Sequence, residues 1–134
     1  GRHDEAVPLL RMTLDARERE GTKSSEWITA ANNLAGTLSQ AGELDEAAEV
    51  FRTAIACSCR VLGKQHPLSL KAQSNLVVIL HKLGKWTEAK QLQGELVPLL
   101  EQRFGSTAPS TRKAAEFLTL LEKESFGRKR KNAS

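Results

Sequence analysis

The sequence is poor in aromatic residues and cysteine, and it has no long apolar run. Only 4% of its 134 residues are aromatic, and the longest uninterrupted apolar stretch runs from Leu76 to Leu80. A membrane-spanning helix needs about 20 consecutive apolar residues, so we expect no membrane span; no secretory leader opens the chain either. Cys57 and Cys59 are the only cysteines. Two residues apart on a helix, their side chains diverge and cannot form an ordinary disulfide. We therefore expect a soluble protein of a reducing compartment, located in the cytoplasm.

Sequence patterns for catalysis, cofactors and metals are also missing. His3, His66 and His81 are scattered, and no two of them have the spacing of a metal site. The two cysteines have no second pair with which to form a zinc finger, so small buried side chains are the expected role. There is no glycine-rich phosphate loop and no nucleophile elbow. We predict that this chain is not an enzyme and holds no cofactor or metal.

The positive charge of the chain is concentrated at one end. The net charge is +4, and Arg128, Lys129, Arg130 and Lys131 supply four positive charges. The rest of the chain is therefore neutral. This basic run has three interpretations: nuclear targeting, contact with nucleic acid or anionic lipid, or an ordinary solvated terminus. Because no aromatic residues are interleaved with the basic ones, we do not expect nucleic-acid binding.

The chain nearly repeats itself after 42 residues. Asn33 and Leu34 recur as Asn75 and Leu76, Gly42 recurs as Gly84, Glu46 and Ala47 recur as Glu88 and Ala89, and Gly63 recurs as Gly105. A repeat of this length is typical of a solenoid, in which each unit buries its apolar face against its neighbours. Alanine, leucine, glutamate and lysine dominate the composition, which favours helices. We therefore predict an all-α fold.

Turn residues set the predicted helix boundaries. Gly42 and Gly84 follow the ends of helices, Asp45 and Thr87 start the next ones, and proline at the first helical position marks two more starts. The predicted helices are Asp4–Glu20, Ser25–Ala41, Asp45–Leu62, Pro67–Leu83, Thr87–Phe104 and Pro109 to about Ser125. These form a partial unit (1–21), two full units (about 22–63 and 64–105), a capping helix (109–125) and a disordered basic tail (126–134). Since the first unit lacks its first helix, a longer array is the expected context.

The positions of small and large residues along the predicted helices resemble those of the tetratricopeptide repeat. The longer period, the run Asn32-Asn33-Leu34-Ala35, and the segment Leu62-Gly63-Lys64-Gln65-His66-Pro67 resemble the kinesin light chain subclass in particular. The resemblance covers roughly residues 1–121 and implies a right-handed superhelix of antiparallel helix pairs. Gln93 departs from it by standing where the previous unit has Phe51, so we expect the fifth predicted helix to pack differently.

The resemblance also implies a function. In similar proteins the first helices of successive units line a concave groove that takes an extended peptide, and asparagines hold the peptide backbone. An amide can donate to and accept from a backbone at once, while lysines attract carboxylates. We therefore expect a protein-binding module whose ligand segment is acidic or phosphorylated, with Glu116 as the only acid near the groove. The expected groove residues are Asn32, Asn33, Lys71, Ser74, Asn75, Val78, His81, Lys82 and Lys113.

Two alternatives stay open from the sequence. Asn33 and Asn75 could instead bond a neighbouring helix and serve packing alone. An apolar stripe of Ala6, Leu9, Leu10 and Leu14 has no partner helix in the chain, which favours self-association or assembly of a larger repeat protein as the rival function. Trp86 is expected in the core, and the position of Trp27 is left open.

Overall fold

Five helices follow one another over residues 25–133 in a computed structural model of the chain. The structure describes Pro8, Arg11 and residues 25–133, with side chains described as far as residue 124. The helices are α1 (Ser25–Gln40), α2 (Leu44–Val61), α3 (Pro67–Lys82), α4 (Trp86–Phe104) and α5 (Pro109–Ala133). No strand occurs in residues 25–133. The prediction of an all-α solenoid is confirmed.

Each helix packs against the next one in sequence, and α1 also packs against α3. The first and third helices are therefore neighbours. Two ion pairs join residues of successive units: Arg11 to Glu46, and Arg52 to Glu88 with 2.9 Å between Nη2 and Oε1. The second pair lies almost one repeat after the first. Its side chains are 46% and 48% exposed, and exposed pairs of this kind contribute about 0–1 kcal/mol to stability.

The turn from α1 to α2 and the turn from α3 to α4 share one geometry. Gly42 and Gly84 have φ of 85° and 80°, a region that glycine tolerates best. The next amides, of Glu43 and Lys85, each donate to a carbonyl five residues earlier at 2.9 Å, which is the Schellman ending of a helix. The predicted starts at Asp45 and Thr87 are each one residue late, and the capping residues Glu43 and Lys85 make no side-chain cap. Backbone bonds at the preceding glycine fix these turns instead.

Pro67 and Pro109 begin α3 and α5 as predicted. In both preceding loops a tight turn closes with an amide-to-carbonyl bond of 3.3 Å, from His66 to Gly63 and from Ala108 to Gly105. His66 also caps α3, because its Nδ1 accepts the amide of Leu68 at 3.1 Å.

Small residues let α1 and α2 approach closely. Ala35, Ala47 and Ala54 are fully buried, and Phe51 beside them is 1% exposed. Gln93, at the register of Phe51 in the next unit, is also buried, and its Nε2 donates to the carbonyl of Ala114 at 2.9 Å. The expectation of different packing is thus met by a hydrogen bond from α4 to α5, since a buried amide needs a partner.

The last helix is longer than expected. It was predicted to end near Ser125, with residues 126–134 disordered, but α5 continues to Ala133. The helix therefore extends past its predicted end, because lysine, arginine and alanine favour helix and the single Gly127 does not end it. Disorder of the basic tail stays a prediction.

The predicted helix Asp4–Glu20 lies outside the described residues except for Pro8 and Arg11, which are both helical. The stripe of Ala6, Leu9, Leu10 and Leu14 lies outside them altogether. Assembly through that stripe stays a prediction.

Candidate functional site

Three helices carry equivalent positions of the predicted groove. Positions 42 residues apart on α1, α3 and α5 form three rows: Thr29, Lys71 and Lys113; Asn33, Asn75 and Phe117; Gly36, Val78 and Leu120. None of these side chains is fully buried. α1 contacts α3 directly, and His81 of α3 contacts two residues of α5. The rows therefore run across successive odd-numbered helices.

The two adjacent asparagines of α1 have different surroundings. Asn33 is exposed, and Asn75 at its register is half-buried. No hydrogen bond joins either side chain to another residue in the described range. Asn32 is only 7% exposed, and its Nδ2 donates to the carbonyl of Leu68 at 3.5 Å. Asn32, an expected groove residue, is therefore mostly buried and bonded to α3, whereas the packing alternative from the sequence concerned Asn33 and Asn75.

Lysines stand along the groove at three of the predicted positions. Lys71, Lys82 and Lys113 are exposed, and Ser74 of α3 is half-buried. Exposed lysines favour anionic ligand groups near α3 and α5.

His81 is bonded to an acidic residue of α5. Its Nε2 lies 2.8 Å from Oε2 of Glu124, and both side chains are about one-third exposed. The ring of His81 also meets Phe117 edge-on, with ring centres 6.1 Å apart and planes at 70°. The expectation that Glu116 is the only acid near the groove is therefore wrong. Glu124 was missed although it has the register of Lys82, so the repeat itself could have revealed it.

An apolar strip runs through the middle of the groove. Val78 and Leu120 are 44% and 51% exposed, which is high for large apolar side chains. Gly36 continues this row, and a Cβ added there would meet no atom within 4 Å. Leu120 was also missed by the sequence reasoning, and register with Val78 identifies it. The groove therefore combines amide, apolar and lysine rows.

Two hollows lie away from the predicted groove residues. One, of about 370 Å³, lies between α2 and α4 over Leu76 and Leu80. The other, of about 400 Å³, lies where the loop before α3 meets the end of α4. None of the predicted groove residues lines either hollow.

The tryptophans and cysteines serve mainly packing. Trp27 is 2% exposed and lies in an apolar cluster with Ile28 and Cys57. Trp86, predicted in the core, is only half-buried, and its ring lies against the Gly84 turn. Burial raises the pKa of the Cys59 thiol above its usual value, and the nearby Lys64 opposes that shift.

Within the described residues, no three metal-ligating side chains come together as a group that could hold an ion. No described helix has both the length and the apolar character to cross a membrane.

A stack of helical hairpins with turn glycines at one period defines a helical-repeat protein. The sequence matches the tetratricopeptide repeat family over residues 1–60 and again over 27–102. The chain belongs to the tetratricopeptide repeat family and is kinesin light chain-like within it. Proteins of this family serve as interaction scaffolds that bind other proteins.

Relatives and solved structures agree with this assignment. Protein KINESIN LIGHT CHAIN-RELATED 3 of Arabidopsis thaliana is 28% identical over 98% of this chain and 21% of its own length. Protein KINESIN LIGHT CHAIN-RELATED 2 of the same plant is 25% identical over 98% of this chain and 20% of its own length. The chain thus spans about a fifth of the curated relatives that it matches.

Among solved structures, nearly identical TPR-like repeats from Podospora anserina superpose with a TM-score of 0.79 at 23% identity, over 90% of this chain and 58% of theirs. BtubC (BKLC) of P. vanneervenii superposes with a TM-score of 0.81 at 19% identity, over 93% of this chain and 50% of its own. At these identities the likeness concerns the fold.

Proposed function

We propose that this chain binds an extended segment of a partner protein in the groove of α1, α3 and α5. One observation carries the proposal: residues of the same register on successive helices leave amide, apolar and lysine groups exposed together. Asn33, Val78 and Leu120 are each partly or largely exposed. Packing in the core therefore does not explain why these residue types occupy these positions. Their alignment across the helices is what an extended backbone with alternating side chains could contact.

The bound segment is proposed to be acidic. Lys71, Lys82 and Lys113 outnumber Glu116 and Glu124, and Glu124 is already bonded to His81. The first helix offers only neutral Thr29 at the register of the two lysines. Acidic side chains of the ligand are therefore expected over α3 and α5, with its neutral part over α1. Because a few exposed contacts must offset the lost freedom of the peptide, affinity is expected to be micromolar or weaker, on the order of −8 kcal/mol at most.

An acidic peptide tests this proposal directly. A fluorescein-labelled peptide of alternating glutamate and leucine is titrated with the chain at two salt concentrations, and anisotropy reports binding. The double variant Lys71→Gln, Lys113→Gln is expected to weaken binding by about tenfold, as loss of two exposed attractions of about 0.7 kcal/mol each predicts. Lys85→Gln is the matched control, since Lys85 is an exposed lysine in the turn before α4.

Three results distinguish the parts of the proposal. Binding that is insensitive to salt and to the double variant contradicts the acidic ligand. If Asn75→Ala and Val78→Asp leave affinity unchanged for acidic and neutral peptides alike, the groove is not the binding surface. If Lys85→Gln weakens binding as much as the double variant, the attraction is a general effect of charge.

A further inference from the structure

The second hollow has a basic lining and no acid. It has a volume of about 400 Å³ and is formed by the loop from α2 to α3 together with the last turns of α4. The lining residues are Leu62, Gly63, Lys64, Gln65, His66, Leu99 and Arg103. Lys64 and Arg103 are both exposed. They stand 39 positions apart in sequence, and only the packing of α4 beside the loop brings them to one hollow.

His66 contributes a donor to the same hollow. Its Nδ1 accepts the amide hydrogen of Leu68 at 3.1 Å, so Nδ1 carries no proton in this arrangement. The neutral ring then has its proton on Nε2, where it is a hydrogen-bond donor. Lining groups from three residues, Lys64, His66 and Arg103, can therefore all donate.

The loop backbone adds further donors. The turn from Gly63 to His66 closes with a 3.3 Å bond between His66 N and Gly63 O. Within the described part of the chain, the amides of Lys64 and Gln65 inside this turn have no bonded acceptor. The side chain of Gln65 donates to Gln102 of α4, which ties the loop to the helix that carries Arg103. The donors are thus held in place before any ligand binds.

The equivalent loop of the next unit supplies an internal comparison. It has the same closing bond of 3.3 Å, a glycine with φ of 90° where Gly63 has 96°, and a proline at the same place. It carries Ser106, Thr107 and Ala108 where the first loop has Lys64, Gln65 and His66. The turn therefore closes without a lysine or a histidine. His66 has a conformational role as the cap of α3, but the closing bond of the turn does not require Lys64.

We propose that this hollow binds a phosphate monoester. The dianionic phosphate accepts hydrogen bonds from Lys64, His66 Nε2 and Arg103, whose planar guanidinium suits two phosphate oxygens at once. Successive free amides of a turn favour the same anion. Leu62 and Leu99 are partly buried walls of the hollow, and they contact the organic part of the ester. The ligand is either a phosphorylated side chain of a partner protein or a free small phosphate ester.

Amide shifts in the ¹⁵N-labelled chain test this site without reference to the groove. Phenyl phosphate, inorganic phosphate and benzoate are titrated separately, and the amides of Lys64 and Gln65 are followed. We expect phenyl phosphate to shift both amides and to bind at least about tenfold more tightly than either other probe. The double variant Lys64→Gln, Arg103→Gln is expected to lose at least about tenfold in affinity, as charge-assisted hydrogen bonds predict. Lys85→Gln and Arg112→Gln, both of exposed residues outside the hollow, are the matched control.

A phosphotyrosine peptide distinguishes the two sources of the phosphate. Tighter binding of a phosphotyrosine peptide than of phenyl phosphate, lost in the same double variant, supports a phosphorylated partner. Binding of phenyl phosphate without any binding of the phosphotyrosine peptide supports a free ester.

Benzoate that binds as tightly as phenyl phosphate overturns the phosphate assignment, as does a short RNA that binds more tightly than either ester. Inorganic phosphate that binds as tightly as phenyl phosphate overturns the contact with the leucines. An unchanged affinity in the double variant, with a folded amide spectrum, overturns the site.

Discussion

Replacing Gln93 with methionine is expected to loosen the helix that supplies one wall of the groove. Gln93 of α4 is 4% exposed, and its Nε2 donates to the carbonyl of Ala114 in α5 at 2.9 Å. Lys113, Phe117 and Leu120 belong to the same helix. Methionine has nearly the length and volume of glutamine, so Gln93→Met removes the bond and leaves almost no cavity.

The magnitude follows from what is lost. A buried hydrogen bond contributes a net of about 1 kcal/mol, and the Ala114 carbonyl can keep its own helical bond. We therefore expect Gln93→Met to lower the free energy of unfolding by about 1 kcal/mol, a fall of roughly 3–5 °C in Tm for a chain of this size. Gln93→Ala adds a cavity and is expected to cost about 2–3 kcal/mol in total.

Urea unfolding followed by circular dichroism measures both changes, and amide hydrogen exchange locates them. Protection is expected to fall first in α5 and to stay unchanged in α1 and α2. Gln73→Met is the comparison variant, since Gln73 is another buried glutamine but donates within α3 and to its preceding loop, to Ser69 and Lys64 carbonyls. If Gln93→Met is as stable as the parent chain, or if exchange rises equally in all helices, the bond does not hold α5 in place.

Three smaller predictions follow from other positions. Gly36→Ala is expected to raise the free energy of unfolding by about 0.5–1 kcal/mol, because an added Cβ meets no atom. Gly42→Ala is expected to lower it by about 1 kcal/mol, because Gly42 has a φ of 85°. Urea unfolding measures both changes, and changes of the same sign contradict the reasoning. Lys64→Gln is expected to raise the pKa of the Cys59 thiol further, because Lys64 favours the thiolate; alkylation of Cys59 by iodoacetamide near pH 8 should then slow, and a faster rate disproves it. Leu10→Glu is expected to abolish any concentration-dependent dimer seen by light scattering, and a parent chain that is monomeric throughout argues against assembly.

Most helix boundaries could be predicted because they depend on a few residues with special backbone preferences. Gly42 and Gly84 tolerate the left-handed turn, and Pro67 and Pro109 sit at first helical positions. The helix starts at Leu44 and Trp86 were missed by one residue, since the preceding turn is closed by backbone amides that carry no sequence signal. The end of α5 was missed because no strong breaker stands in that segment.

The groove was predictable only in part. Register with Lys82 and Val78 could have found Glu124 and Leu120, so those omissions were failures to apply the repeat to its last helix. The bond between His81 and Glu124 is different, because register says which positions correspond and not which side chains meet. The same holds for the burial of Asn32 beside the exposed Asn33.

The amino-acid sequence by itself determined the period, the all-helical stack and the family, because glycine, proline and apolar spacing act through local backbone preference and repeat unchanged. Tertiary structure alone decided that Asn32 is buried and Asn33 exposed, that His81 bonds Glu124, and that Lys64 and Arg103 line one hollow. These depend on how each helix is rotated and how closely its neighbour packs. A rotation of about 100° per residue separates adjacent side chains, and only the packing of whole helices fixes which of them reaches the surface.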